Sequence, residues 1–157
     1  MKKIIVAAVF AAVASAAPLA AAQDAAAVAD LQALQAAARK DKRTLVAEKL
    51  QLTPAEAKKF WPIYDQLQMD LQTINRARNL ALETLVSRDK PVTDAYAKQV
   101  VGDLMTVEEQ EVKAMRKAVN GTMKALPPRK AARYLQLENK LRAAQDYEIA
   151  VVFPLAQ

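Results

Sequence analysis

Cysteine and histidine are both missing from this 157-residue chain, and glycine occurs only twice. Without histidine the chain lacks the commonest general base, the usual partner of a serine nucleophile and the commonest zinc ligand. Without cysteine no disulfide can form, and a zinc or copper site would have to be assembled from carboxylates and methionine, poor ligand chemistry for either metal. No glycine-rich phosphate loop is present. Two glycines also leave almost no positions suited to positive φ, which argues against tight hairpins and strand-rich folds. The expectation is an all-α chain that needs no cofactor, binds no metal and is not an enzyme.

What is present begins with a segment that reads as a secretory signal. Lys2 and Lys3 precede an apolar run over 4–17, and Ala20-Ala21-Ala22 stands ahead of Gln23 and Asp24. Ser15 and Pro18 interrupt that stretch, which falls short of the roughly 20 apolar residues needed to span a bilayer. Cleavage is expected after Ala22, with Ala16 as the alternative, leaving one all-helical domain over 23–157. Losing residues 1–22 removes two of the 23 basic residues and none of the 17 acidic ones, so the net charge falls from +6 to +4. Basic and acidic residues are interleaved, as in Arg39-Lys40-Asp41-Lys42-Arg43, without a long basic tract or aromatic neighbours. Nucleic acid is therefore not an expected partner.

Helix signals account for most of the remainder. Thr53 and Glu56 have the spacing of a capping box, in which each side chain satisfies a backbone N–H of the other, and Pro54 falls at the first helical position, where its missing N–H is harmless. From there Phe60, Tyr64, Leu67, Leu71, Ile74, Ala81 and Leu85 form a four-three seam, with Arg78 alone off pattern. Pro62 lies inside this helix and should bend it. The helix should end near Arg88, because Asp89-Lys90-Pro91 places a residue before proline. Val92-Thr93-Asp94-Ala95-Tyr96-Ala97 echoes Leu52-Thr53-Pro54-Ala55-Glu56-Ala57 and should open a second long helix. Its expected stripe is Val100, Leu104, Val112, Met115, Val119, Met123 and Leu126, with a soft spot at Asn120-Gly121. Pro127-Pro128 ends it, and a last helix should run over 129–150 with Tyr134, Leu137, Leu141 and Ala144 as anchors. An alanine-rich helix anchored by Leu31, Leu34, Leu45, Val46 and Leu50 precedes Thr53, with a break expected within 40–43. The count is four helices, the 53–88 and 93–126 pair forming a long antiparallel hairpin.

Leu52, Thr53, Pro54 and Glu56, opening a long helix, resemble the Leu-Thr-x-x-Gln element of the Spy/CpxP family of bacterial periplasmic helical proteins, with Glu56 in place of glutamine. Val92, Thr93 and Asp94 look like a worn second copy. The resemblance covers about residues 41–126. It implies a periplasmic location and an ATP-independent chaperone for unfolded or partly folded proteins, often a homodimer, binding clients on a curved, partly apolar and partly basic surface. A branch of the family instead damps an envelope sensor kinase, so a helical adaptor for one folded partner is the alternative. Zinc binding in that family uses histidine-containing segments, which this chain does not have.

Some residues exceed what one seam needs. Trp61, Ile63, Met69, Leu80 and Leu82 lie off the 60–85 seam and either contact the first and last helices or remain open for a partner. Met105, Met115 and Met123 are expected in the core. Glu108-Glu109-Gln110-Glu111 reads as a solvated acidic face in which only Glu108 and Glu111 share a side. Arg78, sitting in the seam, needs a counter-charge, for which Glu138 is the candidate.

Overall fold

A computed structural model describes residues 17–86 and 92–153. It is all-helical, with four helices: α1 (Ala17–Leu50), α2 (Pro54–Val86), α3 (Asp94–Ala125) and α4 (Pro128–Val152). Residues 1–16 of the expected signal, the expected helix end near Arg88 and Pro154 lie outside the described residues. Among the described residues no helix is long and apolar enough to cross a membrane.

The helix starts follow from local chemistry. Thr53 donates its backbone N–H to Glu56 Oε2 at 2.8 Å and accepts from the Glu56 N–H at 3.3 Å, a complete capping box. Thr93 accepts from the Tyr96 N–H at the same 3.3 Å. The Thr53 and Thr93 carbonyls then accept from Ala57 and Ala97 at 2.9 and 2.8 Å. The two sequence copies therefore build one geometry twice, and both bury the residue seven positions on, Phe60 and Val100. The first copy closes the box in return through Glu56, where the second carries Tyr96.

Within α1 the backbone leaves the helical region at Asp41 (φ −160°, ψ 95°), inside the stretch where a break is expected. Asp41 acts as an internal N-cap, accepting from the Thr44 N–H at 3.0 Å and the Thr44 hydroxyl at 2.6 Å. These bonds hold the Asp41 carboxyl below its ordinary pKa. α1 closes on Gln51, whose φ of 47° is the left-handed conformation of a helix C-terminus carried by a residue other than glycine.

α2 runs through Pro62 and α3 runs through Asn120-Gly121 without a break. At Gly121 a Cβ would lie 3.2 Å from the Ile63 side chain, so this glycine allows the two helices to approach closely. The closest helix approaches pair α2 with α3 and α1 with α4, with a sparser contact between α3 and α4.

The core gathers at one end, where the α1–α2 and α3–α4 connections lie side by side. Leu45, Val46 and Leu50 of α1, Phe60, Tyr64 and Leu67 of α2, Leu126, and Ala131, Tyr134 and Leu137 of α4 are buried there. Phe60 meets Tyr134 edge to face at 4.9 Å. Burial thins away from this end. α1 has no buried side chain among residues 27–44, and α4 has none beyond Ala144.

The face that α3 turns inward differs from the expected stripe. Its buried residues are Val100, Val107, Glu111, Ala114, Ala118 and Thr122, whereas Val112, Met123 and Met105 are half exposed or more. A stripe of small residues lets α3 lie close to α2, and the larger side chains are left on the outer face. The expectation of core positions for Val112, Met105 and Met123 is thus corrected, while Met115 does pack against the core.

Candidate functional site

Three regions carry side chains beyond those a simple helical core requires. At the end where the connections meet, Lys130 of α4 donates to the Gln51 carbonyl and to Glu56 Oε2, both at 2.7 Å. Arg133 donates to the Lys49 carbonyl at 3.3 Å. Cations of α4 thus satisfy carbonyls that the end of α1 leaves open. The Lys130 bond, seconded by the Thr53 amide, holds the Glu56 carboxyl below its ordinary pKa. Leu52, Thr53, Pro54 and Glu56 therefore serve as a corner, with Leu52 packed on the core. Val92, Thr93 and Asp94 open α3 with Val92 half-buried and the other two exposed.

Further along the bundle lies a charged layer. Arg78 of α2 pairs with Glu111 of α3, bonds Glu108 at 3.3 Å and Asn75 at 3.1 Å, and lies 3.8 Å from Asp146 of α4. Arg142 of α4 bonds the other Glu111 oxygen at 3.1 Å. Burial opposes the Arg78 charge, but Glu111, with Glu108 and Asp146, more than offsets it and raises its pKa. Burial pushes Asp146 up, against the pull of Arg78. Beside this cluster Glu138 of α4 accepts from Lys42 of α1 at 2.8 Å and from Gln68 of α2 at 3.3 Å, and Lys42 also bonds Gln68 at 3.0 Å. Burial and the Glu138 charge together push the Tyr64 hydroxyl up to about 12.

The expected pairing of Arg78 with Glu138 is overturned. Both line one cavity of about 40 Å³, with Lys42, Asn75, Glu111 and Arg142 among its walls. Glu111 answers Arg78 across the close α2–α3 contact, whereas Glu138 answers the lysine of α1. The reading of residues 108–111 as a solvated face is corrected in part. Glu108 and Glu111 do share a side and both reach Arg78, but Glu111 is only 3% exposed. Lys42, Gln68, Glu111 and Arg142 were not identified from sequence. Their one signal is the interruption of the seam by Arg78, which demands a partner without naming it.

The third region is apolar and outward. Of the five surplus residues of α2, two are used internally. Trp61 stacks under the Arg43 guanidinium at 4.2 Å and meets Tyr64 edge to face at 5.4 Å, and Ile63 packs on Gly121. Arg43 also pairs with Asp65. Leu82 is half-buried. Met69 and Leu80 are exposed, as are Val101, Met105, Val112 and Met123 of α3 and Tyr147, Val151 and Val152 of α4. Ala77, Leu80 and Ala81 of α2 face Tyr96, Val100 and Asp103 of α3 across a groove of about 400 Å³. Among the described residues no group of three or more acidic side chains is placed to hold a metal ion. No protein-family profile, no curated protein and no solved structure matches this chain.

Proposed function

We propose that this chain is an exported, ATP-independent protein-binding module of Spy/CpxP type that holds unfolded or partly folded proteins in the periplasm. The observation that carries this reading is the set of large apolar side chains left in water on α2 and α3: Met69, Leu80, Val101, Met105, Val112 and Met123 are each at least 50% exposed. Contiguous apolar patches mark interaction sites, and Val101, Met105, Val112 and Met123 recur at intervals that return to one face of α3. Lys113 and Arg116 flank Val112, so apolar contact would supply affinity while charge hastens encounter. The matched threonine caps of α2 and α3 support the resemblance that the sequence carries. The order of contacts supports a long antiparallel hairpin: Ile63 meets Gly121, Arg78 meets Glu111, and Ala81 shares a groove with Val100. Pro62 would give that hairpin its bend.

The test is light scattering from an aggregating client mixed with the protein in the absence of ATP. Suppression at near-stoichiometric ratios is expected; no suppression at about tenfold excess removes the reading. A second reading is an adaptor or negative regulator bound to one folded partner, such as an envelope sensor kinase. It is favoured by the ordered charges Glu108, Glu109, Lys113 and Arg116 around Val112, a pattern suited to a single complementary surface. That reading predicts saturable binding to one folded protein and no effect on unfolded clients.

A further inference from the structure

The two helix pairs, α1 with α4 and α2 with α3, are joined in different ways along their length. At the end where the connections meet they share a continuous apolar core of Val46, Leu50, Phe60 and Tyr134. Further along, the apolar side chains Leu71, Met115 and Leu141 are only partly buried, and the bonds that cross between the pairs are polar: Lys42 to Gln68, Gln68 to Glu138, Arg142 to Glu111, and Arg78 beside Asp146. The layer reaches solvent on the cationic side, where Lys42 and Arg142 side chains are 27% and 40% exposed, whereas the carboxylates of Glu138 and Glu111 are 2% and 4% exposed. It also encloses a cavity of about 40 Å³, enough for a water molecule. Separating an apolar layer exposes hydrocarbon to water with nothing in return. Separating a layer of ion pairs returns each charge to hydration, so the net cost of parting them is small.

We infer that the charged layer is a latch at which the α1/α4 pair parts from the α2/α3 pair while the aromatic end stays closed as the fulcrum. Opening brings Leu71, Met115 and Leu141, which line the same cavity, to the surface. On the chaperone reading, these inward side chains join the outer apolar faces in gripping a client.

The test replaces one half of the layer by hydrocarbon of similar size, Lys42→Met with Gln68→Leu and Glu138→Leu, in the full chain. Amide hydrogen exchange under native conditions is followed in peptides from α1 and α4 flanking positions 42 and 138. Exchange there is expected to slow by at least about fivefold, the low end of the stabilisation that apolar replacement of a buried ion pair produces. Gly102→Ala, in α3 with open space around it, should leave that local exchange unchanged and so controls for general stabilisation. Unchanged exchange in the triple variant overturns the latch. If the triple variant fails to fold, the parent decides. Exchange in its α1 and α4 peptides flanking positions 42 and 138 is expected to be at least about tenfold faster than in peptides carrying Leu50 and Tyr134 at the closed end, and equal rates overturn the latch. Client suppression is measured alongside. Slower exchange with weaker suppression supports both the latch and its use. Slower exchange with undiminished suppression overturns the inner surface as the grip. A parent that never suppresses scattering removes the chaperone reading while leaving the exchange result to judge the latch.

Discussion

Glu56 is held by two donors at once: its own capped threonine through the Thr53 amide, and Lys130 arriving from far along the sequence. A carboxyl with a depressed folded pKa stabilises the fold above its unfolded value, here 4.5, and loses that contribution as pH falls through the folded value. Glu56→Gln keeps the shape and a weaker acceptor but cannot titrate. The parent should therefore lose melting temperature on acidification below about pH 4.5 more steeply than the variant does, with the two curves separated by a constant offset at neutral pH. Thermal melts followed by circular dichroism between about pH 3 and 7 read this directly. Equal slopes would place the proton uptake elsewhere.

Among the elements, α3 is the one whose inward face misleads a reader of the sequence. The starts of α2 and α3 are legible because a cap depends on residues three apart, and the break at Asp41 is legible for the same reason. Which side of α3 faces inward depends on how close α2 comes. Gly121, Ala114, Ala118 and Thr122 permit a close approach, and that outweighs the larger side chains of Val112 and Met123. The partner of Arg78 is likewise a matter of register between helices. Its consequence is testable at this scale. Arg78→Met leaves Glu111 buried with only Arg142, and should destabilise the fold by about 3 kcal/mol in urea unfolding. Arg78→Met with Glu111→Leu removes both buried charges, frees Arg142 and Asp146 to solvent, and should recover most of that loss. A double variant as unstable as the single one would show that the pair itself contributes net stability.

Over the whole molecule, burial is graded instead of uniform. Phe60, Val46, Leu50 and Tyr134 are sealed at one end, whereas α1 over residues 27–44 buries no side chain and α4 ends in exposed Tyr147, Val151 and Val152. Poorly covered helix open before well-covered helix. The single tryptophan, Trp61, sits at the sealed end against Phe60 and Arg43. In a urea titration the far-ultraviolet signal should therefore begin to fall at lower denaturant than Trp61 fluorescence changes, and coincident curves would indicate one cooperative unit. Four helices in an all-α chain were expected from two glycines and the spacing of apolar residues. The uneven cover was not, because it follows from which helices end up beside each other.

The first helix has the last as its closest neighbour, and Lys42 and the Gln51 carbonyl wait for Glu138 and Lys130. A ribosome delivers those partners only after 96 and 79 further positions, respectively, have been added. The nascent protein can pair α2 with α3 early but cannot close around α1 until α4 has been made. The order of emergence thus leaves α1 waiting while its neighbours are made, so the polar bonds that join it to α4 are the last of the bundle to form.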